Sequence, residues 1–130
     1  VSRARERGFS LLEAVVAFAI LALALGVLLE IFSRASLASQ RAAMLARASA
    51  LAESRLALVD GGAVDLVPGE IEGGEAGGMR WSLAVIPLAR AGLAAGDPQP
   101  YRVEARVRWD EAGRERRLVL PTQRLGAPRP

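Results

Sequence analysis

Glu13 is the side chain in this sequence whose setting asks most of chemistry. Residues 9–29 form a run of 21 in which Glu13 carries the only charge. On insertion scales an acidic residue deep in an apolar segment costs about 2.5–3.5 kcal/mol, and less near an end, so a carboxylate kept there calls for a cationic partner. Nothing inside the run can supply one. Other chemistry is sparse. The chain has no His, Cys or Lys, which removes the common bases, thiol nucleophiles and zinc ligands. Glu104 and Asp110 could be imagined as a carboxylate pair, but they fall at opposite ends of the wet face of one expected strand, where solvated charges are ordinary. Asp65, Glu70, Glu72 and Glu75 offer hard oxygen ligands of the kind calcium takes, without the regular Asp/Asn spacing of a calcium loop. The glycines around them do not follow GxGxxG and no Lys follows, so no phosphate cradle is expected either. The chain therefore reads as a non-enzyme with no cofactor.

Charge narrows the partners. The isoelectric point of 10.9 suggests a nucleic-acid binder, yet the formal charge is only +3 because all 17 basic groups are Arg balanced by 14 acids. Arginine titrates very high and inflates the isoelectric point without a large excess of charge. No nucleic-acid partner is expected. At 130 residues the chain supports at most one modest domain beyond its apolar segment.

The elements that must position Glu13 come next. At about 1.5 Å per residue, a helix over residues 9–29 spans a bilayer core of roughly 30 Å. Residues 9–30 are accordingly expected as a membrane helix, with Ala22 and Gly26 forming a small-xxx-small pair of the type that lets helices approach closely in lipid. Glu30 marks the membrane exit and stands four residues before Arg34, the favourable order for an ion pair. Three Arg precede the helix, but Arg34, Arg41 and Arg47 follow it, so charge alone leaves orientation open. A secretory signal peptide cut after Ala24 is the competing reading, against which stands an apolar run longer than the usual 7–15 residues.

Residues 31–60 lack Gly and Pro and are rich in strong helix formers. Leu37, Met44, Ala48, Leu51, Leu56 and Val59 recur at helical spacing, with Ser39, Gln40, Arg47, Glu53 and Ser54 opposite. This predicts an amphipathic continuation of the first helix, stopped by Gly61-Gly62. Residues 63–67 suggest a short strand, and residues 68–78, with five Gly and three Glu, a mobile loop. Trp81, Leu83 and Val85 alternate with Arg80, Ser82 and Ala84 up to Pro87, predicting a strand. After a connection over 88–100, Tyr101, Val103, Ala105, Val107 and Trp109 alternate with Arg102, Glu104, Arg106, Arg108 and Asp110. That is an antiparallel strand with one buried and one wet face. Residues 110–114 form a loop of hairpin length, and residues 115–123 return as a strand that puts Leu118 and Leu120 beside Val107 and Trp109. Residues 124–130 read as a frayed tail.

A short basic leader, then Gly8, Phe9, Glu13 as the fifth residue counted from Phe9, then a long apolar helix, resembles the type IV prepilin and pseudopilin class. The resemblance implies that a membrane prepilin peptidase cuts between Gly8 and Phe9, that Phe9 carries an N-methylated amine, and that Glu13 is the assembly residue. The new amine is a cation needing a counter-ion, and Glu13 of a neighbouring subunit can be that counter-ion. Four residues of rise, about 6 Å, separate the two groups on one helix, so successive subunits would sit roughly a turn out of step.

Within that class, the segment over 48–57, Gly78-Met79-Arg80-Trp81 opening a strand, and the closing Arg124-Leu125 resemble the I-type minor pseudopilins of bacterial type II secretion. The resemblance implies an α+β, pilin-like fold: a long N-terminal helix, half in the membrane and half amphipathic, packed on a small antiparallel β-sheet. Residues 1–8 would be the cleaved leader, 9–30 the transmembrane assembly helix, 31–60 its continuation and 61–130 a periplasmic domain. The expected location is the bacterial inner membrane, single-pass, N-terminus cytoplasmic before processing. The implied partners are J-type, K-type and H-type minor pseudopilins at a pseudopilus tip that initiates assembly. A minor type IV pilin and a membrane-anchored periplasmic binding module are the alternatives.

Overall fold

The computed structural model describes Gly8, residues 10–62, 65–89, Gly92, Ala94 and residues 96–126. Its elements follow the order α1 (Leu11–Asp60), β1 (Gly69–Ala76), β2 (Met79–Pro87), β3 (Gln99–Glu111) and β4 (Arg114–Gly126). The chain divides into two compact units, Val1–Ala42 and Ala43–Pro130.

In the first unit, α1 begins at a side-chain cap. The backbone N–H of Glu13 donates to Ser10 Oγ at 3.2 Å, satisfying one of the donors that a helix start leaves unpaired. From there the helix is apolar on every side, and Leu11, Phe18, Ile20, Leu23 and Leu28 are all exposed. It is long and apolar enough to cross a membrane. Arg34 Nη2 reaches Glu30 Oε1 at 2.6 Å, the expected i,i+4 pair, fully at the surface.

In the second unit, the last four turns of α1 pack on a four-stranded antiparallel sheet of order β1-β2-β3-β4. Ala48, Ala52, Leu56 and Val59 are buried at spacings of four, four and three, with Met44 and Leu51 half-buried beside them. The predicted stripe is present except for Leu37, which is exposed. Ala48 and Ala52 have no exposed surface at all; residues this small let the helix sit close on the sheet. From the sheet come Leu83, Val103 and Val107, the largest fully buried side chains, each contributing roughly 1.5–3 kcal/mol by leaving water.

The strict alternation over 101–109 appears as burial of every odd residue from Tyr101 to Trp109 in β3. Val107 pairs with Leu118 and Ala105 with Leu120, so both leucines join the helix-facing side as expected. On β2 the alternation is hidden: Ser82 and Ala84 are buried on the face away from the helix. Their cross-strand neighbours are Arg106, Glu104 and Glu70, whose long stems cover the smaller side chains.

Three expectations fail. Residues 65–67 are not a strand, while Ala63 and Val64 lie outside the described residues. The Gly-rich stretch expected as a mobile loop is mostly strand: β1 pairs with β2 from Gly69↔Val85 to Ala76↔Met79, with a bulge between Glu72 and Gly74. The cause is Trp81. A Cβ placed on Gly73 would stand 2.1 Å from its ring, so the strand must carry glycine where the indole lies. Residues 124–126 are not frayed but end β4, with Arg124 opposite Tyr101; residues 127–130 lie outside the described ones. The hairpin loop is also tighter than expected, a two-residue turn of Ala112 and Gly113, both with positive φ (52° and 75°).

Candidate functional site

The residues expected to act at the N-terminus are placed as follows. Gly8 is exposed and lies outside the helix. Phe9 lies outside the described residues. Ser10 is the helix cap and Glu13 the third residue of its first turn. That is the Ser-x-x-Glu arrangement of a capping box, in which the acid also lies where the helix dipole favours negative charge. This local role was legible in Ser10-Leu11-Leu12-Glu13 and is separate from any role in assembly. The Glu13 side chain is exposed. Ala22 and Gly26 stand one turn apart on the exposed surface, and a Cβ built on Gly26 would meet nothing within 4 Å. The face they share is exposed.

Arg124 and Asp60 were not linked by any sequence pattern, being 64 residues apart. In the structure Arg124 Nε and Nη2 fork onto the two Asp60 oxygens at 2.5 and 2.9 Å. Nη1 of the same guanidinium donates to Thr122 Oγ1 and to the Gln123 carbonyl. The hydrogen bond from Arg124 holds the Asp60 carboxyl below its ordinary value of 3.8, against a smaller opposing effect of desolvation. The same bond raises the Arg124 pKa. This clamp ties the C-terminal turn of α1 to the end of β4, both within the second unit.

Three of the carboxylates considered for chemistry, Glu70, Glu104 and Asp110, are engaged locally. Glu70 Oε1 accepts from Ser82 Oγ at 3.0 Å and from Arg106. Glu104 Oε2 accepts from Arg106 Nη2 at 2.9 Å. Asp110 Oδ1 accepts the Gly113 N–H at 2.9 Å and so closes the β-turn. Among the described residues, Glu104 and Asp110 share no contact, and no group of three or more acids is arranged to hold a metal ion. The side chain of Glu72 lies outside the described residues. Trp81 has the Arg55 guanidinium 4.3 Å from its ring centroid, a cation–π contact that fixes the indole over the helix.

Residues 3–29 match the Prokaryotic N-terminal methylation motif. The whole chain is similar to Type II secretion system protein I of Xanthomonas campestris pv. campestris. The two are 41% identical over 127 residues, covering 92% of this chain and 91% of the relative. No solved structure matches the chain.

Proposed function

The chain belongs to the type II secretion system protein I family, and from that premise we propose that it is a minor pseudopilin. It is a structural subunit of a pseudopilus tip that initiates assembly for protein export, and it does no catalysis of its own. The observation that carries this reading is Glu13, an exposed carboxylate in the first turn of a helix that is otherwise uncharged as far as Leu29, inside a matched methylation motif.

The steps follow from the residues. The apolar part of α1 holds the precursor in the inner membrane with residues 1–8 on the cytoplasmic side. Prepilin peptidase hydrolyses the Gly8–Phe9 bond, leaving a carboxylate on Gly8 and an amine on Phe9, which is then methylated. Loss of residues 1–8 removes three Arg and one Glu, so the formal side-chain charge falls from +3 to +1. The Phe9 amine remains a cation after methylation and meets Glu13 of a neighbouring pseudopilin, each charge in lipid gaining the partner it lacks. Ala22 and Gly26 let the neighbouring helix come close, where packing contacts add to the charge pair. The J-type, K-type and H-type minor pseudopilins are the neighbours this reading names, with the second unit in the periplasm.

The test is made on membranes of cells that contain a prepilin peptidase. Intact mass and N-terminal sequencing are expected to find a chain beginning at methylated Phe9. Glu13→Gln keeps the side chain's length and the Glu13 N–H to Ser10 Oγ cap and removes the charge. It is expected to leave cleavage intact and to abolish co-purification with partner pseudopilins. A chain starting elsewhere, or normal assembly of the Gln variant, would sink the reading.

A further inference from the structure

The face of the sheet turned away from α1 carries an arginine row. Register places Arg80 of β2 opposite Arg108 of β3, and Arg108 opposite Arg117 of β4. Adjacent strands lie about 4.8 Å apart, so three guanidinium stems leave the sheet side by side. Like charges directly opposite one another destabilise a sheet. Arg80 is relieved by Glu115, with Nη2 3.0 Å from Oε2. Arg108 and Arg117 form no ion pair or hydrogen bond among the described residues. Of the acids on this face, Glu115 is engaged by Arg80, Glu70 and Glu104 by Arg106, and Asp110 by the Gly113 N–H, while Glu75 stands opposite Arg80 at the far end of the row. Among the described residues, Arg108 and Arg117 are thus left as two neighbouring cations without an ion pair.

The same place is concave. A depression of about 530 Å³ is lined by Glu70, Ser82, Glu104 and Val119 as well as by Arg106, Arg108 and Arg117, its two acids being those that Arg106 engages. Ser82 is buried and its hydroxyl is committed to Glu70, whereas Val119 keeps two-fifths of its surface exposed. An occupant would gain apolar contact with Val119 and charge-assisted hydrogen bonds from two planar guanidinia, the geometry that suits carboxylates.

We propose that this depression docks an acidic segment of another protein, whose carboxylates bridge Arg108 and Arg117 while its backbone crosses Val119. Charge complementarity selects the occupant: among the described residues neither cation has a counter-ion, and carboxylates brought by a partner would supply one. The contact uses the sheet and not the helix, so it stands independently of the role given to Glu13.

The experiment uses the full chain in detergent micelles and a fluorescent decapeptide of alternating Glu and Ser, followed by anisotropy. The wild type is expected to bind, and R108Q/R117Q to bind about tenfold more weakly through loss of two charge-assisted contacts. R102Q removes a charge from the same face outside the depression and should leave affinity within about twofold, as exposed charges at a distance are screened. E13Q should leave it unchanged, which separates this result from any failure of assembly. Because the double variant relieves repulsion, its thermal midpoint should equal or exceed that of the wild type. Absence of peptide binding, equal weakening by R102Q, or displacement of the peptide by equimolar glycerol phosphate, the soluble part of an anionic lipid, would each overturn the proposal.

Discussion

Single residues here hold positions that their neighbours in sequence do not explain. Asp60 closes the last turn of α1, where the negative end of the helix dipole disfavours an acid, and Arg124 compensates with a two-point clamp. The clamp depresses the Asp60 pKa in the folded state. Its contribution is therefore complete above the unfolded value of about 3.9 and is lost as pH falls through the lower folded value. Asp60→Asn is expected to lower the thermal midpoint near neutral pH, and the gap between variant and wild type should shrink progressively as pH falls below the unfolded value and through the lower folded one. A gap that persists in acid would mean that the pair acts through shape and not through charge. Glu13 shows the opposite relation between residue and sequence. Its capping partner Ser10 is three residues away and readable at once, while the cation we propose for it belongs to a neighbouring subunit.

At the scale of elements, turn chemistry and strand edges decide what periodicity leaves open. The β3–β4 connection is a two-residue turn with positive φ at both positions, and Gly113 suits its place, but Ala112 at φ 52° does not. A left-handed conformation costs an ordinary residue about 1–2 kcal/mol, and Asn-Gly is the favoured pair for such a turn. Ala112→Asn should raise stability by roughly 1 kcal/mol in denaturant melts; a loss would show that the strain is relieved elsewhere in the hairpin. β1 teaches a different lesson. Gly69-Glu-Ile-Glu-Gly-Gly-Glu-Ala76 has neither the alternation nor the side chains of a strand, and it was expected as a loop. It becomes one because β2 offers a free edge and because Gly73 makes room for Trp81. β3, by contrast, was legible residue by residue, since a sheet with one wet face imposes period two on its sequence.

On the scale of the whole molecule, the chain holds two units with different solvents in view. Among the described residues, the first unit presents apolar side chains such as Phe18, Leu23 and Leu28 outward, and the second turns them inward around Leu83, Val103 and Val107. Leu83→Ala should destabilise the second unit by about 2–5 kcal/mol through lost burial and a residual cavity. Membrane partitioning of the chain should not change. Loss of both together would show that the units do not fold separately. What the sequence by itself determined was whatever depends on neighbours along the chain: the apolar helix from its unbroken run, Glu13 as its lone charge, the amphipathic stripe and the alternation of β3. Tertiary structure alone decided the Gly-rich β1, the Asp60–Arg124 clamp and the row of Arg80, Arg108 and Arg117. Each of these joins residues that only strand register or helix packing brings together, and no local period records a register.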